Sequence, residues 1–356
     1  MDLAAIEANY RAIAGFVSVD SREGGQPPPG IIAVVKANAY GHGLLRAARA
    51  FVEADGFAVV ELEAAIRLRE AGYSRPIVLL EGFFRPRELP VLNEHRLMPA
   101  IHSFEQIKML REARPGTRLD VLLKVNTGLN RLGFQPLHFS DALARLQSSP
   151  CISSVTLMTH FATADDERGI AAQLRVLESL TRAGLPRTMA NSAAILRYPE
   201  SHADWVRPGI MLYGCSPFAE CVGATLDLRP AMTLASELIA VRDLAPGDAV
   251  GYGSTYVAQR HVRMGVVACG YADGYPRHAP TATPVLVDGT LTGTVGRVSM
   301  DMLCVDVTNI PSARVGAPVV LWGHGNPVEN VAHAAGTVGY ELLCALTPRV
   351  RVVESP

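Results

Sequence analysis

An α/β architecture, a (β/α)8 barrel of the TIM type followed by a mostly β C-terminal domain, is predicted from three observations. Between Ile31 and about Arg229, eight short apolar runs alternate with stretches of helical period. After Arg229 the texture changes to short apolar runs cut by Gly, Pro and Asp-Gly turns, the pattern of hairpin-linked antiparallel strands. The chain has 356 residues, and a soft prior of roughly 150 residues per domain gives two domains. The expected division is residues 1–229 for the barrel and 230–356 for the β domain.

The barrel strands are expected at Ile31–Val35, Gly56–Val60, Pro76–Glu81, Leu97–Ile101, Arg118–Val125, Ile152–His160, Leu185–Ala190 and Trp205–Ile210. Helical spacing fills the gaps, as in Glu63–Ala71 and Ile170–Ala183. Eight Val-, Ile- and Leu-rich parallel strands in about 200 residues is the arithmetic of a closed barrel. A doubly wound sheet is the alternative, because alternation alone does not show closure. The β domain is read from Leu234–Val241, Met264–Gly270, Pro284–Gly296, Met302–Val307 and Ala317–Gly323, with short helices at about Val328–Ala335 and Gly339–Leu346. GGQPPPG (Gly24–Gly30) reads as an extended surface loop.

Charged residues make up 19% and the net charge is −1, so no basic field is available for nucleic acid or an anionic membrane, and a small molecule is the expected partner. MDLAAIEANY has no basic start and interrupts its apolar positions with Asp2, Glu7 and Asn9, unlike a signal peptide. No apolar run reaches the ~20 residues needed to cross a bilayer, and the cytoplasm is the expected compartment. The six cysteines are scattered without C-x-x-C or zinc-type spacing, so buried free thiols are expected and no metal site.

Chemistry concentrates at the expected strand ends. AVVKANAYGHG (Ala33–Gly43) puts Lys36 at the carboxyl end of the first strand and Tyr40 four residues on. Lys124 and Arg131 sit at the end of the fifth strand in KVNTGLNRLGF, and His160 ends the sixth in TLMTHFATAD. Asn191 and Ser192 follow the seventh, and Arg207 to Ile210 lie in WVRPGIMLYG at the eighth. Any one of these has an ordinary explanation: a snorkelling Lys, a hydrogen-bonded structural His, a Ser that caps a helix. Polar residues from the ends of several strands on one rim are what a barrel active site is made of.

These segments, together with DLAAIEANYRAI, GYGSTY, CGYADGYPR, VGRVSMDM and GYELL, resemble the alanine racemases over nearly the whole chain. The resemblance implies pyridoxal 5'-phosphate as cofactor, with Lys36 as its Schiff-base lysine and Tyr40, Ser192, Gly209, Ile210 and Tyr340 around its phosphate. Arg131 would contact the cofactor's phenolic oxygen and the substrate carboxylate. His160 would lie beside the pyridine ring and Arg207 would face the ring nitrogen. Met300 would line the substrate site, with Lys124, Tyr271 and Asp301 in support. Two proton carriers on opposite faces of Cα are implied, Lys36 on the D face and a Tyr of VGYGSTY on the L face. The VGYG part matches at Tyr252, which lies 19 positions before Tyr271, the family spacing; Tyr256 is then a flanking residue. In the family these parts meet across a head-to-tail homodimer that shares its active sites.

Arginine is a fitting partner for the ring nitrogen, because it stays protonated and donates, which disfavours ring protonation and weakens the electron sink. A weaker sink suits rapid return of the proton. A phenol is a poor base at neutral pH, so a hydrogen-bonding or cationic group, with His160 and Arg207 the candidates, is expected to favour the phenolate. Two departures from the family pattern stand out. Asn126 replaces a frequent Asp beside Lys124, whose counterpart in many relatives is carbamylated, and Met1 abuts the DLAAIEANY segment where relatives carry a further strand. The competing functions are a racemase of serine or broader specificity, a barrel-fold amino-acid decarboxylase, for which Arg207 is the wrong residue, and a non-catalytic cofactor-binding barrel.

Overall fold

The chain is seen in a computed structural model that describes residues 1–23, 27–180 and 184–355. Its first half is a closed parallel barrel of β1 (Gly30–Val34), β2 (Gly56–Val59), β3 (Ile77–Leu79), β4 (Leu97–Ile101), β5 (Leu119–Lys124), β6 (Ile152–Met158), β7 (Arg187–Thr188) and β8 (Trp205–Val206). Closure is made by β8 on β1, with Gly30 opposite Trp205 and Ile31 opposite Val206, which removes the open-sheet alternative. Ile32, Ala33, Phe57, Ala58, Ile77 and Val78 are almost wholly buried, as expected of strands covered on both faces.

All eight expected strands form, most of them shorter than their apolar runs. β6 stops at Met158, so His160 lies beyond the strand rather than ending it. β8 stops at Val206, and Ile210 opens a 3-10 turn, Ile210–Tyr213. Both corrections have one cause: a rim strand loses its neighbour's ladder before its apolar pattern ends. The helix expected over 170–183 runs Ala171–Glu178, with 181–183 outside the described residues. Of GGQPPPG, residues 24–26 also lie outside them, and Pro27–Pro29 are irregular ahead of β1. No helix among the described residues is long and apolar enough to cross a membrane.

The compact unit built on this barrel comprises residues 10–39 and 43–212, and the other comprises residues 1–9, 40–42 and 213–356. In the latter are β9 (Leu234–Leu244), β10 (Ala249–Val250), β11 (Tyr256–Val257), β12 (Val262–Val267), β13 (Pro284–Val287), β14 (Thr290–Val295), β15 (Leu303–Asp306) and β16 (Pro318–Trp322). Six of them close into an antiparallel barrel in the order β12-β15-β14-β13-β16-β9. Asp288 and Gly289 both take positive φ, 48° and 76°, the two-residue turn whose twist matches a hairpin, and they join β13 to β14. Trp322 is fully buried and stacked on Tyr275 at 5.9 Å. The chain start belongs here as well. Asp2 donates its N–H to Ala231 O at 2.8 Å and bridges to Ser355, and Asn9 exchanges hydrogen bonds with the backbone of Arg229 at 2.9 and 2.7 Å.

The CGYADGY and VGRVSMDM segments meet backbone to backbone in this unit. Tyr271 N–H donates to Ser299 O at 3.1 Å and Ala272 N–H to Met300 O at 2.9 Å. A Cβ at Gly270 would stand 2.3 Å from Met300 O and 2.4 Å from Ser299 O. Gly270→Ala is therefore expected to destabilise by about 1–3 kcal/mol through overpacking alone. Urea unfolding followed by tryptophan fluorescence checks this; an unchanged midpoint would mean that the two segments can separate without cost.

Candidate active site

β1 delivers Lys36 to the barrel rim through a turn of unusual hand. Ala37, Asn38, Ala39 and Tyr40 have φ of 51°, 53°, 55° and 50°, a left-handed helical turn without a single glycine. Each such residue costs roughly 1–2 kcal/mol. Asn38, the one residue of the four that tolerates this region, holds the turn: its carbonyl accepts from Gly43 N–H at 2.8 Å and its Oδ1 from Leu44 N–H at 2.9 Å. Ala39 N–H donates back to Val35 O at 2.9 Å. Strain of this kind persists where the surroundings over-determine it, which is typical of functional sites.

Around Lys36 the barrel gathers positive charge. Lys124 is the last residue of β5, Arg131 lies in the loop after it, and Arg207 follows β8 directly. Burial lowers the Lys124 ammonium to about 8, with Arg207, Arg131 and Lys36 pushing the same way and Glu81 opposing them. Burial, then Arg207, Arg131, Lys124 and Lys36, drives His160 down to about 3, so its imidazole is neutral at physiological pH. Of the two candidates for a cation, His160 is thereby removed; it remains a hydrogen-bonding group. Its depressed value makes the neutral ring a contribution to stability that is complete above the ordinary histidine value of ~6.5 and is lost as the pH falls toward 3.

Arg207 is 4% exposed, and burial lowers it to about 10, which leaves it charged at neutral pH. It donates through Nη1 to Thr188 Oγ1 and through Nη2 to Thr159 O at 2.7 Å and Met189 O at 3.2 Å. Its Nε–H and second Nη1–H have no acceptor among the described residues. The guanidinium is thus fixed with two donors in reserve. Ser192 Oγ accepts from Gly209 N–H at 2.8 Å, so that amide is occupied while the Ser192 hydroxyl proton stays available. Asn191 caps the helix Ser192–Arg197 through Oδ1 to Ala194 N–H at 3.0 Å. This cluster of cations, opposed at Lys124 by Glu81 and at His160 by no carboxylate, fits a cofactor that brings a phosphate and a phenolic oxygen and a substrate that brings a carboxylate.

Asn126 has a structural task. Its Oδ1 accepts from Gly128 N–H at 3.1 Å and Asn130 N–H at 3.0 Å, while Nδ2 donates to Asn130 Oδ1 at 2.7 Å. An ionised Asp could make the first two bonds but not the third.

The remaining expected residues lie in the second unit. Tyr40 is buried against Tyr213 at 4.9 Å and lies 6.0 Å from Tyr340; burial, with Cys344 adding to it, raises its phenol above the ordinary value, so it acts as a neutral donor. His42 stacks on Tyr213 at 4.6 Å, and its Nδ1 contacts Tyr40 O at 2.9 Å. Tyr252 starts the 3-10 turn Tyr252–Ser254 and is 71% exposed in the single chain, as Met300 is at 53%. Arg297 lies beside this turn, 3.1 Å from where a Cβ on Gly253 would be. Tyr256 instead pairs with Val250 in the β10–β11 ladder and packs on Val250, Met264 and Val295. Asp301 is held at 2.8 Å by Arg349, which also pairs with Asp273 at 2.6 Å. None of the cysteines forms a disulfide among the described residues, but Cys344 is exposed rather than buried and Cys221 and Cys304 are half-buried.

Glu81, Thr159, Thr188, Tyr213, His42 and Arg349 belong to these surroundings and were not singled out by the sequence. Tyr213, His42 and Thr159 lie inside segments marked above, Glu81 ends an expected strand and Thr188 lies in another; Arg349 had no local signal.

The left-handed turn reverses the usual cost of glycine. Ala37 is exposed, so Ala37→Gly is expected to be neutral or to stabilise by up to ~1 kcal/mol, where the same change in a right-handed helix costs about that much. Denaturant midpoints of the two proteins decide it; a loss of 1 kcal/mol would contradict the left-handed turn.

Comparison with known proteins places the chain in a family. The family description "Alanine racemase, N-terminal domain" matches residues 1–217, and "Alanine racemase, C-terminal domain" matches residues 231–354. The alanine racemase of Nitrosospira multiformis is 57% identical over 332 residues, covering 92% of this chain and 93% of the relative. The crystal structure of biosynthetic alanine racemase from Pseudomonas aeruginosa superposes with a TM-score of 0.94 at 45% identity, covering 100% of this chain and 98% of the other. Alanine racemase from Acinetobacter baumannii gives 0.90 at 38% identity, covering 100% and 98%. The chain belongs to the alanine racemase family of pyridoxal phosphate-dependent isomerases.

Proposed function

We propose that this chain interconverts L-alanine and D-alanine with Lys36 and Tyr252 as its two proton carriers. The observation that carries the reading is the set of cations at the barrel rim, Lys36, Lys124, Arg131 and Arg207, around a neutral His160. When bound, pyridoxal phosphate supplies an electron sink that acidifies Cα. Lys36 Nζ would hold the cofactor covalently and, as a free amine, would carry the proton on one face of Cα. Tyr252 Oη carries it on the other. Its exposure in the single chain, against the ladder position of Tyr256, supports this choice.

Arg131 is assigned to the substrate carboxylate and the phenolic oxygen, and Arg207, through its reserve donors, to the ring nitrogen. His160, neutral, flanks the ring. Ser192, Gly209, Ile210, Tyr40 and Tyr340 are the residues assigned to the phosphate. Met300 is assigned to the substrate, with Tyr271 and Asp301 in support. The lowered Lys124 ammonium supports carbamylation, because a larger share of the amine is neutral near pH 8 and the product anion would sit beside Arg131 and Arg207; intact-mass measurement of a labile adduct tests it.

The active unit is taken to be a homodimer in which Tyr252 of one copy serves Lys36 of the other. The cytoplasm is the assigned compartment, supported by the free thiols and checked by cell fractionation.

Borohydride reduction of the loaded protein followed by peptide mapping is expected to fix the cofactor on Lys36; label on Lys124 would overturn the assignment. Tyr252→Phe is expected to lower racemisation by about 10²–10⁴-fold. In deuterium oxide it should lose α-proton exchange mainly from L-alanine, while exchange from D-alanine survives. Equal loss from both enantiomers, or full activity in Tyr252→Phe with loss in Tyr256→Phe, would sink the two-base reading. Mixing inactive Lys36→Ala and Tyr252→Phe proteins under subunit exchange should restore activity; no recovery would exclude shared sites.

A further inference from the structure

We infer that the barrel unit carries a second binding site, for a multiply charged organic anion, in a cavity of about 480 Å³ at the opposite end of the strands from the active site. The cavity is lined by Leu110, Arg111, Arg114, Arg118, Arg145 and Cys151 among others, and no carboxylate lines it. Arg118 immediately precedes β5 and Cys151 immediately precedes β6, whereas Lys124 ends β5 and His160 follows β6. The six residues of β5, at about 3.3 Å each, separate the two ends by roughly 20 Å.

The four guanidinium groups are not equivalent. Arg118 is tied across the cavity, its Nη1 donating to Thr117 O at 3.0 Å and Pro150 O at 2.6 Å. Arg145 is steered by Asp141, with Nε to Oδ1 at 2.8 Å, and lies 5.0 Å over the Phe104 ring. These contacts order both side chains yet leave Nη2 of Arg118 and both terminal nitrogens of Arg145 for a ligand, so part of the ordering cost is met before binding. Arg111 and Arg114 have no ion pair or hydrogen bond among the described residues and are the arms that can close over it. Asp141, held by Arg145, is the one carboxylate among the described residues that pairs with any of the four.

That imbalance selects the ligand. A zwitterionic amino acid carries no net charge to offset three unopposed cations, so the cavity is not a second substrate site. A dianion or trianion suits planar forks that bind carboxylate or phosphate oxygens in pairs. Ile107 and Leu110 supply an apolar side to the cavity, which calls for a ligand with an organic body rather than a bare inorganic ion. The volume falls within the usual range for small-molecule sites, about 300–1,000 Å³. Phosphate esters and polycarboxylates share this chemistry.

Calorimetry on the cofactor-loaded protein, in which the catalytic phosphate contacts are filled, tests the site with two probes, phenyl phosphate and citrate. Saturable binding of one probe molecule per chain is expected for at least one of them; the probe that binds identifies the source as ester or polycarboxylate. Arg111→Gln/Arg114→Gln, which removes no contact of the fold, should weaken binding roughly tenfold or more without changing racemisation measured in the absence of probe. Arg145→Gln should weaken it likewise. Failure of both probes to saturate, affinity unaltered in the double variant, or binding abolished by raising potassium chloride from 50 to 200 mM, which would mark diffuse attraction to surface arginines, would overturn the proposal.

Discussion

Unbalanced positive charge at the carboxyl rim of the parallel barrel is the constraint on which the rest of the site depends. Lys36, Lys124, Arg131 and Arg207 act together on His160 from the ends of three strands, β1, β5 and β8, and Glu81 is the anion that offsets them at Lys124. A protein tolerates such a cluster only by fixing each member. Arg207 is fixed by three acceptors deep in the barrel, and Lys124 by the end of β5. The net field is then available for whatever anions occupy the site, and the cost of assembling it is met by the barrel's burial of aliphatic side chains rather than by local pairing.

The same field decides the chemistry of the neutral members. His160, half-buried beside cations, is held as the free imidazole, so it cannot contribute charge to a phenolate and serves as a polar wall. That leaves Arg207 as the cation of the two expected candidates, and it is directed into the barrel by Thr159, Thr188 and Met189. Tyr40, pushed toward permanent neutrality by burial, is suited to donating a hydrogen bond and unsuited to accepting a proton. Two tyrosines of the chain thus differ by environment: Tyr40 is walled in by Tyr213 and Tyr340, while Tyr252 stands on an exposed turn.

The left-handed turn after β1 shows how strain and positioning are coupled. A right-handed continuation from Lys36 would be cheaper for Ala37, Ala39 and Tyr40, and Ala-Asn-Ala-Tyr favours it locally. The bonds from Gly43 and Leu44 to Asn38 hold the other hand. This bends the chain immediately after Lys36, and Tyr40 to His42 then belong to the other compact unit.

The barrel was legible in the sequence because its signals are local: eight apolar runs of strand length, helical spacing between them, and polar residues where each run stops. Lys36, Tyr252 and the rim arginines stand out as candidates through whole segments, AVVKANAYGHG, VGYGSTY, KVNTGLNRLGF and WVRPGIMLYG, in which residue type and spacing occur together. Closure of both barrels was not, since it depends on β8 finding β1 and β9 finding β12 and β16 across long stretches of chain. Nor was the hand of the Ala37–Tyr40 turn, which runs against local propensity, or the neutral state of His160, which depends on four cations brought from elsewhere. Glu81, Thr159, Thr188 and Arg349 acquire their roles only from neighbours distant in sequence. Sequence by itself determined which elements form and which reactive groups they bear, because periodicity and strand ends are properties of a few consecutive residues. Tertiary structure alone decided the charge state, orientation and strain of those groups, because desolvation and Coulomb interaction depend on distance in space and have no counterpart in the order of the chain.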